Sequence, residues 1–148
     1  MRILRNHIEV GADVTQPPGG GIVLDSVSMR VVDNVVIGPR WGLSVRRATG
    51  RIADNRFSKG DGTGIELINA APTTAAPVSF ITIEGNRVRG YRQYGIRLSN
   101  SPYNTIRNND FTRNPGVDCA ETDDPTTSVW TDNLGAQSQP AGLCEPAS

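Results

Sequence analysis

Residues 81–98 read ITIEGNRVRGYRQYGIRL, and two patterns inside them decide the architecture. The first is Ile83-x-x-Asn86-x-Val88, an asparagine bracketed by aliphatic residues. The second is Gly95-Ile96-Arg97-Leu98, a glycine followed by apolar, polar, apolar. Working outward, the asparagine block recurs around Asn6, Asn34, Asn55 and Asn109, and the glycine block at Gly21, Gly42, Gly64 and Gly116. The two alternate along the chain. A degenerate sixth start stands at Trp130-x-x-Asn133, where an aromatic takes the aliphatic position.

The asparagines at 6, 34, 55, 86, 109 and 133 are 28, 21, 31, 23 and 24 residues apart, in or near the range of solenoid repeats. Within each block apolar residues alternate with polar ones, the period of a strand with one buried face. A leucine-rich repeat shares the asparagine spacing, but it wants leucine and a longer, often helical return. Here isoleucine and valine total 24 against seven leucines, and β-branched side chains favour stacked, pleated strands. From each glycine block to the next asparagine takes only 13, 13, 22, 14 and 17 residues. The pattern predicts an all-β parallel β-helix of five to six rungs over residues 1–118, with a capping segment over 119–148 in the same structural domain.

The alternation of RILRNHI, RVVDNVV, RIADNRF, TIEGNRV and TIRNNDF with GIVL, GLSV, GIEL, GIRL and GVDC resembles the right-handed parallel β-helix repeat family of the pectin-lyase-like superfamily. The ending GVDCAETDDPTTSVWTDNLGAQSQPAGLC is similar to the closing segment of its secreted bacterial members. The resemblance implies a single-stranded right-handed solenoid and an association with polysaccharides. Lyases of this fold use carboxylates, often with calcium, and a basic residue to take a proton next to a uronate.

Composition narrows the partners. Fifteen basic residues balance fifteen acidic ones, so no overall field steers the chain onto nucleic acid or an anionic membrane. No run is long and apolar enough for membrane insertion, and residues 1–20 lack the apolar core of a signal peptide, so the expectation is an export leader outside this chain. Met1 stands one residue before a strand and would leave the first rung open. The expectation is the C-terminal piece of a longer coil, with upstream rungs or a second copy covering that edge.

Residue roles follow from position in the repeat. Asn6, Asn34, Asn55, Asn86 and Asn109 are expected to stack their amides into a ladder, each asparagine itself taking the left-handed corner. The glycines mark the next corner, where a Cβ would crowd the backbone. The tail is a natural cap for a solenoid end. Cys119 and Cys144, the only cysteines, bracket it, so a disulfide would tie it to the last rung and fits an oxidising, extracellular compartment. Two insertions, GADVTQPPGG and NAAPTTAAPVS, leave the coil at different edges.

Two columns carry candidate chemistry. Counting from each glycine aligns Val23, Ser44, Glu66, Arg97 and Asp118, so that Glu66, Arg97 and Asp118 form an acid-base-acid run. That run is a surface ion pair or, as the resemblance implies, the catalytic group of a lyase or epimerase of acidic sugars. The residue before each glycine aligns Gly20, Trp41, Thr63, Tyr94 and Pro115, placing Trp41 and Tyr94 roughly 10 Å apart along the coil. Flat aromatic faces suit sugar rings, and Arg40, Tyr91, Arg92, Gln93 and Arg97 are near enough to bond a glycan. Lone His7 supports neither a metal site nor a nucleophile triad. No cofactor is expected, with calcium entering only in the lyase-like case. A secreted polysaccharide-binding domain, a carbohydrate-active enzyme and a structural spacer of an adhesin or envelope protein are the three readings.

Overall fold

The computed structural model describes residues 1–10, 19–25, 28–69, 79–122 and 128–147. The chain winds in rungs of three short strands. The first holds β1 (Arg2–Leu4), β2 (His7–Glu9) and β3 (Gly20–Asp25), and the second β4 (Ser28–Val32), β5 (Val35–Ile37) and β6 (Trp41–Arg46). The third holds β7 (Thr49–Ala53), β8 (Arg56–Ser58) and β9 (Thr63–Ile68), and the fourth β10 (Ile81–Glu84), β11 (Arg87–Arg89) and β12 (Tyr94–Ser99). A fifth rung has β13 (Thr105–Arg107) and β14 (Val117–Thr122), and a sixth has β15 (Val129–Thr131) and β16 (Ser138–Gln139).

Equivalent strands pair in parallel and build three faces. Sheet I runs β1-β4-β7-β10-β13-β15, sheet II runs β2-β5-β8-β11, and sheet III runs β3-β6-β9-β12-β14-β16. In the last rungs sheet II thins to single-residue bridges, Arg87 to Asp110, Asp110 to Leu134 and Leu134 to Glu145. Among the described residues there is no helix. The expected parallel β-helix is the fold.

Register explains the core. Ile3, Val31, Ile52, Ile83, Ile106 and Trp130 stand opposite one another down sheet I, and Ile22, Leu43, Ile65, Ile96 and Cys119 do so down sheet III. Each inward residue therefore touches its counterpart above and below, and from Val31 to Ile106 the sheet I column is fully buried. β-branched and leucine side chains repeat there because a one-residue slip would turn every one of them to solvent.

The amide ladder forms as expected from Asn6 to Asn109 and continues to Asn133. One detail differs. The left-handed corner belongs to the residue before each asparagine, namely Arg5, Asp33, Asp54, Asn108 and Asp132, with φ between 53° and 57°, and Gly85 in the fourth rung. This turn aims the asparagine into the coil, where its amide bonds along the axis. The corner glycines need space instead: a Cβ on Gly42 would lie 2.5 Å from the Gly64 carbonyl oxygen, and one on Gly64 would lie 2.6 Å from that of Gly95.

The coil also runs past the expected boundary at residue 118. β14 spans that position in register with β12, and β15 and β16 add a further partial rung. The Cys119–Cys144 disulfide is present. The bodies of the two insertions, residues 11–18 and 70–78, lie outside the described residues.

Candidate functional site

The outer face of sheet III carries the aromatic pair. Trp41 and Tyr94 both stand opposite Thr63, one on either side, so their Cα atoms lie two rungs apart, roughly 10 Å along the axis. Each ring has a guanidinium against it. The Arg40 Cζ is 4.7 Å from the Trp41 ring centroid and the Arg97 Cζ is 5.3 Å from that of Tyr94. Thr63 between them is buried, leaving a shallow step flanked by two half-buried aromatics. Such stacking holds each arginine in place and keeps its charge beside an aromatic surface.

The neighbouring column is Val23, Ser44, Glu66, Arg97 and Ala120. Glu66 Oε1 lies 3.9 Å from Arg97 Nη1, a loose pairing, and the glutamate is only 6% exposed. Burial raises the Glu66 carboxyl above its ordinary range, against the opposing pull of Arg97, Arg46 and Arg40. The sign for stability follows. A carboxyl whose folded pKa is raised contributes most when protonated, below its unfolded pKa, and that contribution is lost as pH rises through the folded value. Glu66→Gln is therefore expected to stabilise the protein at neutral pH and to change little below about pH 4. Urea titrations at the two pH values check this, and an equal effect at both would refute it.

Asp118 does not belong to this column. The register places Ala120 opposite Arg97 and Val117 opposite Tyr94, so Asp118 takes the corner held by Gly42, Gly64 and Gly95 in earlier rungs, and Val117, not Pro115, continues the aromatic column. The last glycine, Gly116, lies two residues before that corner, which is why counting from it misled. Asp118 is buried and accepts from the backbone N–H groups of Asn114, Ala136 and Gln137 at 3.3, 2.7 and 3.2 Å, and from Asn114 Nδ2 at 3.2 Å. It fastens the cap. The acid-base-acid run thus reduces to Glu66 and Arg97.

Other expected contacts separate similarly. Arg92 is exposed and pairs with Asp61 at 3.2 Å, a surface pair of small value. Tyr91 is fully buried and fills the space beside Gly42 and Gly64, so it supports the face without reaching it. Arg46 was missed, although its position two residues beyond Ser44 on a period-2 strand signalled the same outward face.

Against this geometry, a family model described as "Periplasmic copper-binding protein (NosD)" matches residues 4–136. Neither a curated protein nor a solved structure matches the chain. The family description overturns the expectation of no cofactor, because copper is what the family is described as binding. The described residues do not fit that ion. No three histidine, cysteine, aspartate or glutamate side chains among them converge on one point, both cysteines are joined to each other, Met29 is buried in the core, and the ion pair His7 makes among the described residues is with Glu9, at 3.8 Å. Copper takes imidazole, thiolate and thioether donors in a cluster, and the described residues gather none. The match extends from β1 to the turn before β16 and spans the repeating coil, and the chain belongs to the NosD family of parallel β-helix proteins.

Proposed function

We propose that this is a cell-envelope β-helix domain that binds a polysaccharide strand along the outer face of sheet III. The observation that carries the reading is the register of Trp41 and Tyr94: one column, two rungs apart, each ring fixed by an arginine. An extended glycan lying along the axis would meet one ring at every second sugar, with Arg40 and Arg97 bonding its hydroxyls or carboxylates. The family's periplasmic description and the disulfide support a location outside the cytoplasm. Binding is favoured over turnover because Asp118 is committed to the cap and leaves Glu66 and Arg97 without a second carboxylate in their column among the described residues.

The test is a glycan array with the purified chain and with Trp41→Ala/Tyr94→Ala. Loss of both anchors is expected to weaken retention by roughly tenfold to a hundredfold. Retention that survives the double substitution would remove the aromatic column from the site, and silence across the array would favour the structural spacer.

A further inference from the structure

We propose that the outer face of sheet I is a second binding surface, which docks on an anionic phospholipid surface. Its strands hold four arginines, Arg2, Arg30, Arg51 and Arg107, and a single acid, Glu84. The balanced charge of the whole chain conceals this. Arg2, Arg30 and Arg51 stand directly opposite one another in three successive strands, about 5 Å apart. Like charges opposed across a sheet repel, and Glu84 relieves only part of the row because it is clamped by Arg51 at 2.6 Å and Arg107 at 2.6 Å. Among the described residues Arg2 and Arg30 make no ion pair. A surface of phosphate groups supplies what the row lacks, since a guanidinium donates two parallel hydrogen bonds to one phosphate.

A separate observation selects a lipid surface among anions. Of the large hydrophobic residues exposed in the described chain, Leu4 and Val129 lie on sheet I, and Phe80 and Tyr103 stand at the edge where its strands begin. Phe80 is 71% and Tyr103 57% exposed. Their rings stack on each other with centroids 5.8 Å apart and 12° between planes. Both residues hold φ near +57°, a costly conformation for a bulky side chain, which sustains two neighbouring aromatics in solvent. Aromatic side chains beside a basic surface match the boundary between headgroups and acyl chains. The aspartates Asp33, Asp54 and Asp132 follow the opposite ends of the strands, so the face would meet the surface by its aromatic edge. Docking needs no span, and no described helix is long and apolar enough to cross a membrane.

The test is co-sedimentation of the chain with vesicles of phosphatidylcholine, with and without phosphatidylglycerol, at low and high salt. Retention is expected only with phosphatidylglycerol and is expected to weaken with salt. Arg2→Glu/Arg30→Glu should lower it by roughly tenfold or more while leaving glycan retention unchanged. Phe80→Asn/Tyr103→Asn should also lower it without unfolding the chain, because asparagine accepts the left-handed conformation. No retention on phosphatidylglycerol at low salt would overturn the proposal, as would equal retention on both vesicles or retention indifferent to the arginine reversals. A dimer that the same reversals dissociate, with no vesicle binding, would assign the face to a second copy and overturn it too.

Discussion

Asn86→Ala is expected to lower the melting temperature by about 10 °C, whereas Asn6→Ala should shift it by no more than a few degrees. The chemistry of the residue is the same, and position in the ladder makes the difference. Asn86 Oδ1 accepts from the backbone N–H of Asn55 at 3.0 Å and from Asn55 Nδ2 at 2.9 Å. Its own Nδ2 lies within 3.0 Å of the Ile52 and Glu84 carbonyls and of Asn109 Oδ1. All of this is inside the coil. Alanine would leave the buried backbone N–H of Asn55 without its acceptor, at about 1–3 kcal/mol, and would take one bond each from Asn55 Nδ2 and Asn109 Oδ1, which keep the Val31 carbonyl and the Asn86 N–H; with the cavity left beside them, a total near 4 kcal/mol is a large part of the stability of a single domain. Asn6 is exposed; it donates to Asn34 and Leu4, and water can replace these partners. Calorimetry on the two variants decides the matter, and equal shifts would show that the ladder is not a cooperative buried element.

The same asymmetry shows what was legible in the sequence. A repeat is readable wherever neighbouring rungs impose the same demand, so the asparagines, the inward aliphatics and the crowded glycine corners announced themselves. Asp33 and Asp54 were harder, because the left-handed position before each asparagine is filled by Arg, Asp, Gly or Asn and presents no fixed letter. Register near the end was misread for a physical reason. Asp118 replaces the corner glycine once the next segment, entering at Gly135, leaves room for a side chain, and Gly116 nearby imitated the missing signal. Charge distribution was out of reach of composition: Arg2, Arg30 and Arg51 become neighbours only when residues 21 to 28 apart are stacked.

Cys119→Ser/Cys144→Ser is expected to cost upwards of about 3–4 kcal/mol, the part that comes from the chain entropy of a loop closing over a separation of 25 residues. Beyond the pairing of β15 and the Asn133 end of the ladder, the tail is held otherwise by slender means. β16 contributes two residues to sheet III, and Leu134 and Glu145 meet through one bridge. Asp118 adds its bonds to Ala136 and Gln137, but these orient the tail without closing it. Cys119 sits inside the Ile22-Leu43-Ile65-Ile96 column, so the cross-link also fills the end of the core, and serine there would bury a hydroxyl in an apolar site. Cys119→Ala/Cys144→Ala separates the two effects by removing the cross-link without adding a polar group. Urea unfolding should move to a lower midpoint in both pairs, further in the serine pair, and the wild type under reductant should fall between the parent and the serine pair. An unchanged midpoint in the alanine pair would mean that Asp118 and the backbone pairing close the coil by themselves, and that the disulfide contributes nothing to its end.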